Sequence, residues 1–300
     1  MIGMLDYKLV EAFARVIAEG GFEKAAQVLH VTQGAVSQRV KLLEEQVGCV
    51  LMVRSVPPRT TAAGREMLKH YRQVKQLEDD LGPELGQESA GYASMPVGIN
   101  ADSLATWFFP AIGEYLDSQP VLLDLCVDDQ AETHKLLKNG DVLGCVSDRA
   151  APVQGGRVEY LGDMDYRLYS NSSYKMKWFN EGVTLESVLK APMLIFNRKD
   201  VMHGVILKDA LGTKPNRFNG FYLPSSEKFA TAIAAGWACG MLPDQQANEY
   251  VERGELADLL PGHVFTVRLH WHCWNLESAA LDSFTRVLVA GARGLLVQRP

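Results

Sequence analysis

Ser37, Gln38 and Lys41 share one helical face with Gly34 near the start of the chain, and Gln33 opens that helix. Gln and Ser carry short donors and acceptors that can bond base edges, and Lys offers a charge to a phosphate. The chemistry that face suits is reading a nucleic-acid groove. Thr32 stands just ahead as a cap, because its hydroxyl can accept an amide with no partner inside the helix. Arg54 and Arg59 flank Pro57-Pro58 and suit backbone phosphates. A second set lies at strand ends further on: Asn100, Asp102 and Ser103, then Asp128 and Asp129, then Ser147, then Ser225 and Ser226. Free amides and a hydroxyl where a strand enters a helix can hold a carboxylate. An adjacent acidic pair can hold a cation. Each group also has a plainer reading. Asp102 or Ser103 caps a helix, the acidic pair is solvated, the serines cap another helix, and the polar helix face simply meets water.

Other chemistry finds little support. His270 and His272 would share one face of an alternating strand while Cys273 points away, which favours packing with Trp271 and Trp274 over a metal site. No glycine-rich phosphate loop follows Gly98, and no GxSxG, HExxH or Walker sequence occurs. Asp200 and His203 read as a helix start rather than a catalytic dyad. The expectation is no enzyme, no metal and no cofactor.

The elements that must position these residues follow from periodicity. Asp6 caps a first helix with Leu9, Ala12, Phe13, Val16 and Ile17 inward. A short helix from Phe22 to Leu29 precedes a turn at His30-Val31, and a third helix from Gln33 places Val36, Val40, Leu43 and Val47 on one stripe. Extended arms around Pro57-Pro58 complete a winged helix-turn-helix. From Thr61 to about Leu85, Met67, Val74 and Leu81 recur every seven residues, with Ala63, His70 and Leu77 in the offset register. That seam either packs on its own domain or pairs with another helix. The Gly-, Pro- and Ser-rich stretch from Gly82 to Ser94 reads as a hinge. Beyond it, strands and helices alternate, which argues a parallel sheet with helices on both faces. One helix is expected over Ser103–Leu116, one over Ala131–Lys138 and one from Ser278 to Leu296. The fold class is α+β: a winged domain over 1–61, a linker helix and hinge over 62–90, and a two-lobed α/β domain over 91–300. Lobe I takes about 91–165 and 265–300, and lobe II about 166–264. Those lobes resemble the fold of periplasmic solute-binding proteins, with a ligand cleft at the strand ends.

The charge layout agrees. Net charge is −6 over 300 residues, yet Val31 to Arg65 carries five cations against two carboxylates. A basic head on an acidic body suits a chain of which one domain meets DNA. No run is apolar for the ~18–20 residues a membrane span needs, and the N-terminus lacks the marks of a signal peptide. The five widely spaced cysteines read as reduced core thiols, so a cytoplasmic chain is expected.

The stretch AFARVIAEGGFEKAAQVLHVTQGAVSQRVKLLEEQVGCVLMVR resembles the DNA-binding domain of LysR-type transcriptional regulators. The Ala25-Ala26 pair, Thr32-Gln33, Ala35-Val36-Ser37, Lys41 to Glu44 and the Leu51 to Arg54 wing carry the likeness. INADSLATWFFPAI, VDD, GDVLGCVS, SSEKF and HWH extend it across the chain toward the ArgP branch, regulators of basic amino-acid export also called chromosome-initiation inhibitors. The resemblance implies double-stranded DNA as partner, a small effector such as lysine or arginine, and a homodimer or homotetramer joined through the linker helix. It allows RNA polymerase as a further partner and implies no membrane. One departure stands out: Gly34 occupies a place where that family usually has Ser or Pro. A rival expectation is an architectural DNA-binding protein acting at promoter or origin DNA without a ligand.

Overall fold

A computed structural model describes residues 4–84, 92–129 and 132–299. Helix α1 (Tyr7–Ala18) is capped by Asp6, whose carboxylate accepts from the Lys8 amide at 2.9 Å. Its inward residues Val10, Ala12, Phe13 and Val16 are buried. Buried Ala25 and Ala26 on α2 (Phe22–Val28) are small enough to let α3 (Gln33–Val47) lie close. Thr32 caps α3 by accepting from the Ala35 amide at 3.2 Å. Val36, Val40 and Leu43 then face the core, which leaves the opposite side of α3 polar and outward. Strands β1 (Met52–Val53) and β2 (Arg59–Thr60) pair antiparallel as the wing.

Helix α4 (Ala62–Glu84) follows and presents three faces. Gly64 and Leu68 are buried, and Met67 and Tyr71 pack on the winged core. Lys69, Arg72 and Gln76 instead meet the following domain of the same chain. The Lys69 ammonium lies 4.4 Å from the Trp274 ring centroid, Arg72 lies 3.1 Å from Asp141, and the Gln76 amide donates to Ser278 at 3.3 Å. Leu77 and Leu81 remain exposed, with Val74 half-buried. The expected hinge lies mainly outside the described residues, and α4 continues through Gly82 to Glu84.

The rest of the chain runs β3 (Ala93–Ile99), α5 (Ala101–Ala105), α6 (Phe108–Ser118), β4 (Val121–Val127), α7 (Thr133–Lys138), β5 (Gly144–Ser147) and β6 (Gly156–Ser170). It continues with α8 (Ser172–Trp178), α9 (Leu185–Lys190), β7 (Pro192–Ile195), α10 (Met202–Leu211), β8 (Asn219–Tyr222), α11 (Ser226–Ala234) and β9 (Cys239–Pro243). The last elements are α12 (Asp244–Glu252), β10 (Ala257–Asp258), β11 (Phe265–Trp274) and α13 (Ala279–Leu295). Among the described residues the strands form one nine-stranded sheet in the order β4-β3-β5-β11-β6-β9-β7-β8, with β10 on β6.

Three expectations are corrected here. The sheet is mixed rather than parallel. β3 pairs parallel with β4 and β5, and β7 with β8 and β9, but β11 runs antiparallel to β5 and β6. The 15-residue β6 lies beside β11 along its length and so joins the two parallel groups, one per lobe. The single helix expected over Ser103–Leu116 is two, broken at Thr106 and Trp107. Pro110 explains the break, because its ring would clash with the Thr106 carbonyl in a continuous helix, whereas in the first turn of α6 it needs no donor. Cys49 is exposed rather than a core thiol, while Cys145, Cys239 and Cys273 are buried. Helices α8 and α12 were not anticipated, and the expected start at Ala131 lies outside the described residues. Among the described residues no helix is long and apolar enough to cross a membrane.

Candidate functional site

The first site is the outward face of α3 with the wing beside it. Thr32, Gln33, Gln38 and Lys41 are exposed, and Ser37 is half-buried. The Thr32 oxygen is engaged as the cap, which leaves its hydroxyl proton free to donate. Lys41 lies 3.6 Å from Glu45, an exposed pair one turn apart that holds the ammonium only loosely. Gly34 presents no side chain to this face. Arg54 and Arg59 are exposed on the wing, and the Arg54 guanidinium lies 5.7 Å from the centroid of the Phe22 ring. That contact ties the wing to the start of α2. The arrangement offers short polar groups on a helix end and cations to one side of it, the division of labour between base reading and phosphate clamping.

The second site is a cleft of about 770 Å3 between the lobes. Asn100, Asp102, Asp128 and Asp129 line it from the strand ends of lobe I, as their placement after β3 and β4 requires. Asn197, Arg198, Lys199 and Asp200 line it from the segment after β7 in lobe II. Phe196, Phe229 and Phe265 give it apolar walls. The lining carries six carboxylates, Asp102, Asp128, Asp129, Glu132, Asp148 and Asp200, against two cations, Arg198 and Lys199.

Asp102 joins three elements. Its carboxylate accepts from Ser226 of α11 at 2.5 Å and from the Tyr166 hydroxyl of β6 at 2.8 Å. Burial pushes its carboxyl above the ordinary range, against the pull of those two donors, and nearby Asp200 adds to the rise. Burial, with Asp102 alongside, likewise holds the Tyr166 hydroxyl far above its usual value. Asp200 behaves differently. Burial would raise it, but His203 and the amides of Met202 and Phe196 together hold it below the ordinary carboxylate value. Asp129 reaches across the cleft mouth, accepting from Asn197 at 3.1 Å with the Lys199 ammonium 3.9 Å away. Asp128 is exposed and accepts from the Asp129 amide.

The remaining candidates are placed apart from the lining. Ser103 is fully buried with its hydroxyl 3.9 Å from the Met164 sulfur. Ser147 is buried at the end of β5, where its oxygen lies 3.4 Å from the Arg149 amide. Ser225 precedes α11 at its N-cap without a side-chain cap bond, whereas Ser226 reaches Asp102. Helix α5 is only five residues long, so its dipole is weaker than a full helix would give. His272 hydrogen-bonds the Arg149 carbonyl at 2.7 Å, and His270 packs against Tyr160 with ring centroids 5.6 Å apart. Burial holds both imidazoles below their ordinary value.

Several lining residues carry no strong mark in the sequence: Tyr166, Asn197, Lys199 and Gln246. For the Asn197 to Asp200 run the rule that ligands meet strand ends was available, since it follows β7 directly. Gln246 lies within a helix and gave no such mark.

Comparison with known proteins bears on both sites. Residues 7–65 match the family described as bacterial regulatory helix-turn-helix protein, lysR family, and residues 96–293 match the LysR substrate binding domain. The chain is 41% identical over 298 residues to the HTH-type transcriptional regulator ArgP of Pseudomonas aeruginosa, covering 98% of each. It is 36% identical over 295 residues to the ArgP of Vibrio cholerae, covering 98% of this chain and 99% of that one. The crystal structure of ArgP from Mycobacterium tuberculosis superposes with a TM-score of 0.88 at 34% identity, covering 99% of this chain and 100% of that one. Full-length LysG from Corynebacterium glutamicum with bound effector Arg gives 0.79 at 32% identity, over 98% of this chain and 100% of that one.

Proposed function

The chain belongs to the LysR family of transcriptional regulators and is of the ArgP type, and from that premise we propose that it senses a basic amino acid, lysine or arginine. One observation carries this reading: six carboxylates face two cations in the interlobe cleft. An excess of negative charge held among apolar walls favours a ligand with a net positive charge, because the low local dielectric strengthens each attraction. The phenylalanine walls suit an alkyl stem or a flat guanidinium. Asp129, at the acidic rim, takes a cation of the ligand in exchange for its contacts with Asn197 and Lys199, and the vacated Lys199 is then free for the ligand carboxylate. LysG, which holds arginine as effector, is consistent with that choice.

Such a regulator acts in the cytoplasm as a homodimer or homotetramer through α4, on genes of amino-acid export or metabolism. Paired winged domains dock two half-sites, with Gln33, Ser37 and Gln38 toward bases and Arg54 and Arg59 on phosphates. The ligand favours one degree of lobe closure. Helix α4 touches lobe I through Lys69, Arg72 and Gln76, so a change in the lobes bears on the helix that carries the winged domain. Only a ligand with different affinities for the two arrangements can shift them. Calorimetric titration of the full chain with the common amino acids tests the reading. Lysine or arginine should bind and neutral amino acids should not, and an acidic or neutral effector would end it.

A further inference from the structure

Beside Asp102 the cleft wall has acceptors that lack donors. Asn100 is 4% exposed, makes no cap bond to α5, and its side-chain oxygen has no hydrogen-bond partner. On lobe II, the amide of Gln246 in α12 is oriented by its own bond, Nε2 donating to the Ser226 carbonyl at 2.7 Å. Its oxygen is therefore turned the other way, and it too is shielded and unpartnered. Both residues line the cleft with Asp102. Gln246 and Asp102 are linked through Ser226, which bonds Gln246 through its carbonyl and Asp102 through its hydroxyl, and Asn100 precedes Asp102 by two residues. The groups that shift the Asp102 titration include no cation.

A shielded acceptor without a donor is costly, and pairs of this kind in native proteins call for an explanation. Two carbonyl oxygens and a carboxylate, from both lobes, are best complemented by a cationic group carrying several N–H bonds, which supplies a donor to each and a charge to the carboxylate. A ligand carboxylate would meet only lone pairs there, and a hydroxyl has one proton to offer three acceptors. We infer that Gln246 and Asn100 are effector-binding residues which, with Asp102, form a seat for a cationic N–H group of the ligand, clamped as the lobes close. Gln246 is then the lobe II half of a recognition pair. This deepens the basic-effector reading and rests on it. A basic amino acid has two such groups, its α-ammonium and its side-chain cation, and either chemistry fits the seat.

The test is calorimetry on the full chain with arginine and lysine. Gln246→Leu keeps the bulk and removes the acceptor. It should weaken both ligands ~10-fold or more, as loss of a bond to a charged group does. Operator affinity without ligand and the melting temperature report that each variant folds. If Gln246→Leu fails to fold, Asn100→Ala carries the same expectation. Arginine without its α-ammonium, 5-guanidinopentanoate, separates the two ends of the ligand. If Gln246→Leu weakens it as it weakens arginine, the side-chain cation fills the seat. If the variant binds it as wild type does, the α-ammonium fills it. Wild-type binding of arginine and lysine with unchanged affinity in folded Gln246→Leu and Asn100→Ala would overturn the seat and leave the basic effector standing. A wild type that binds neither ligand would overturn both.

Discussion

Two glycines near the DNA-binding surface should respond to alanine in opposite directions. A Cβ at Gly64, in the first turn of α4, would lie 1.9 Å from the Leu51 carbonyl oxygen and 3.2 Å from the Phe13 ring. The nearest atom is backbone, and that carbonyl already accepts from the Thr61 amide at 2.9 Å, so it cannot swing aside without losing the bond that anchors α4 to the wing. Overpacking of this kind costs ~1–3 kcal/mol, and the broken bond adds about 1 kcal/mol. Against this stands the helix preference for alanine over glycine, roughly 0.5–1 kcal/mol. The clash wins, and Gly64→Ala should destabilise the winged domain by about 1–3 kcal/mol. At Gly34 the built Cβ meets only the Thr32 hydroxyl oxygen at 4.0 Å, an ordinary contact, and the residue is exposed. Gly34→Ala should stabilise by roughly 0.5 kcal/mol. Because the chain has more than one domain, native-state hydrogen exchange at α1 and α3 amides is the suitable readout. Equal protection in wild type and Gly64→Ala would refute the packing of α4 against Leu51.

Three further outcomes follow from the same structure. Arg54→Ala should weaken binding to all DNA sequences alike and reduce the salt slope by about one, whereas Gln33→Ala should lower specific binding and spare the rest; equal losses in a salt-titrated binding assay would contradict the division. Val74→Glu, beside exposed Leu77 and Leu81, should shift sedimentation toward monomer if α4 pairs between subunits. Asp102 has a raised carboxyl, so the folded chain binds its proton more tightly than the unfolded chain does. Its protonated form therefore favours folding below the unfolded value of 3.8, and that advantage disappears as pH rises through the folded value. A cation seated beside it should pull the titration back down and release a proton, seen as a buffer-dependent heat of arginine binding in mildly acidic solution that Asp102→Asn abolishes.

The winged domain was legible because its rules are local. Asp6 and Thr32 announce their caps, and Val36, Val40 and Leu43 recur at the helical period. The long β6 was read only from Tyr166 onward. Its preceding run holds Gly162, Asp163 and Asp165, residues that argue against a strand. They lie in one because Asp163, 1% exposed, pairs with Arg268 and Arg299, and Asp165 pairs with Arg299, partners more than a hundred residues away in sequence. The cleft was half visible for a similar reason. Asn100, Asp102 and Asp129 stand at strand ends, which sequence can locate, whereas Gln246 gains its meaning from Ser226 and Asp102 across the lobes. The helix break at Thr106 could have been read from Pro110.

A basic ligand in the cleft should change how the winged domains hold DNA. Energy transfer between fluorophores at the two ends of operator DNA, bound by the full chain, measures this as arginine or lysine is titrated in. The end-to-end distance should change with a midpoint that matches the calorimetric affinity, and should not change with a neutral amino acid. A distance and a DNA affinity that both stay constant while the cleft is saturated would contradict it.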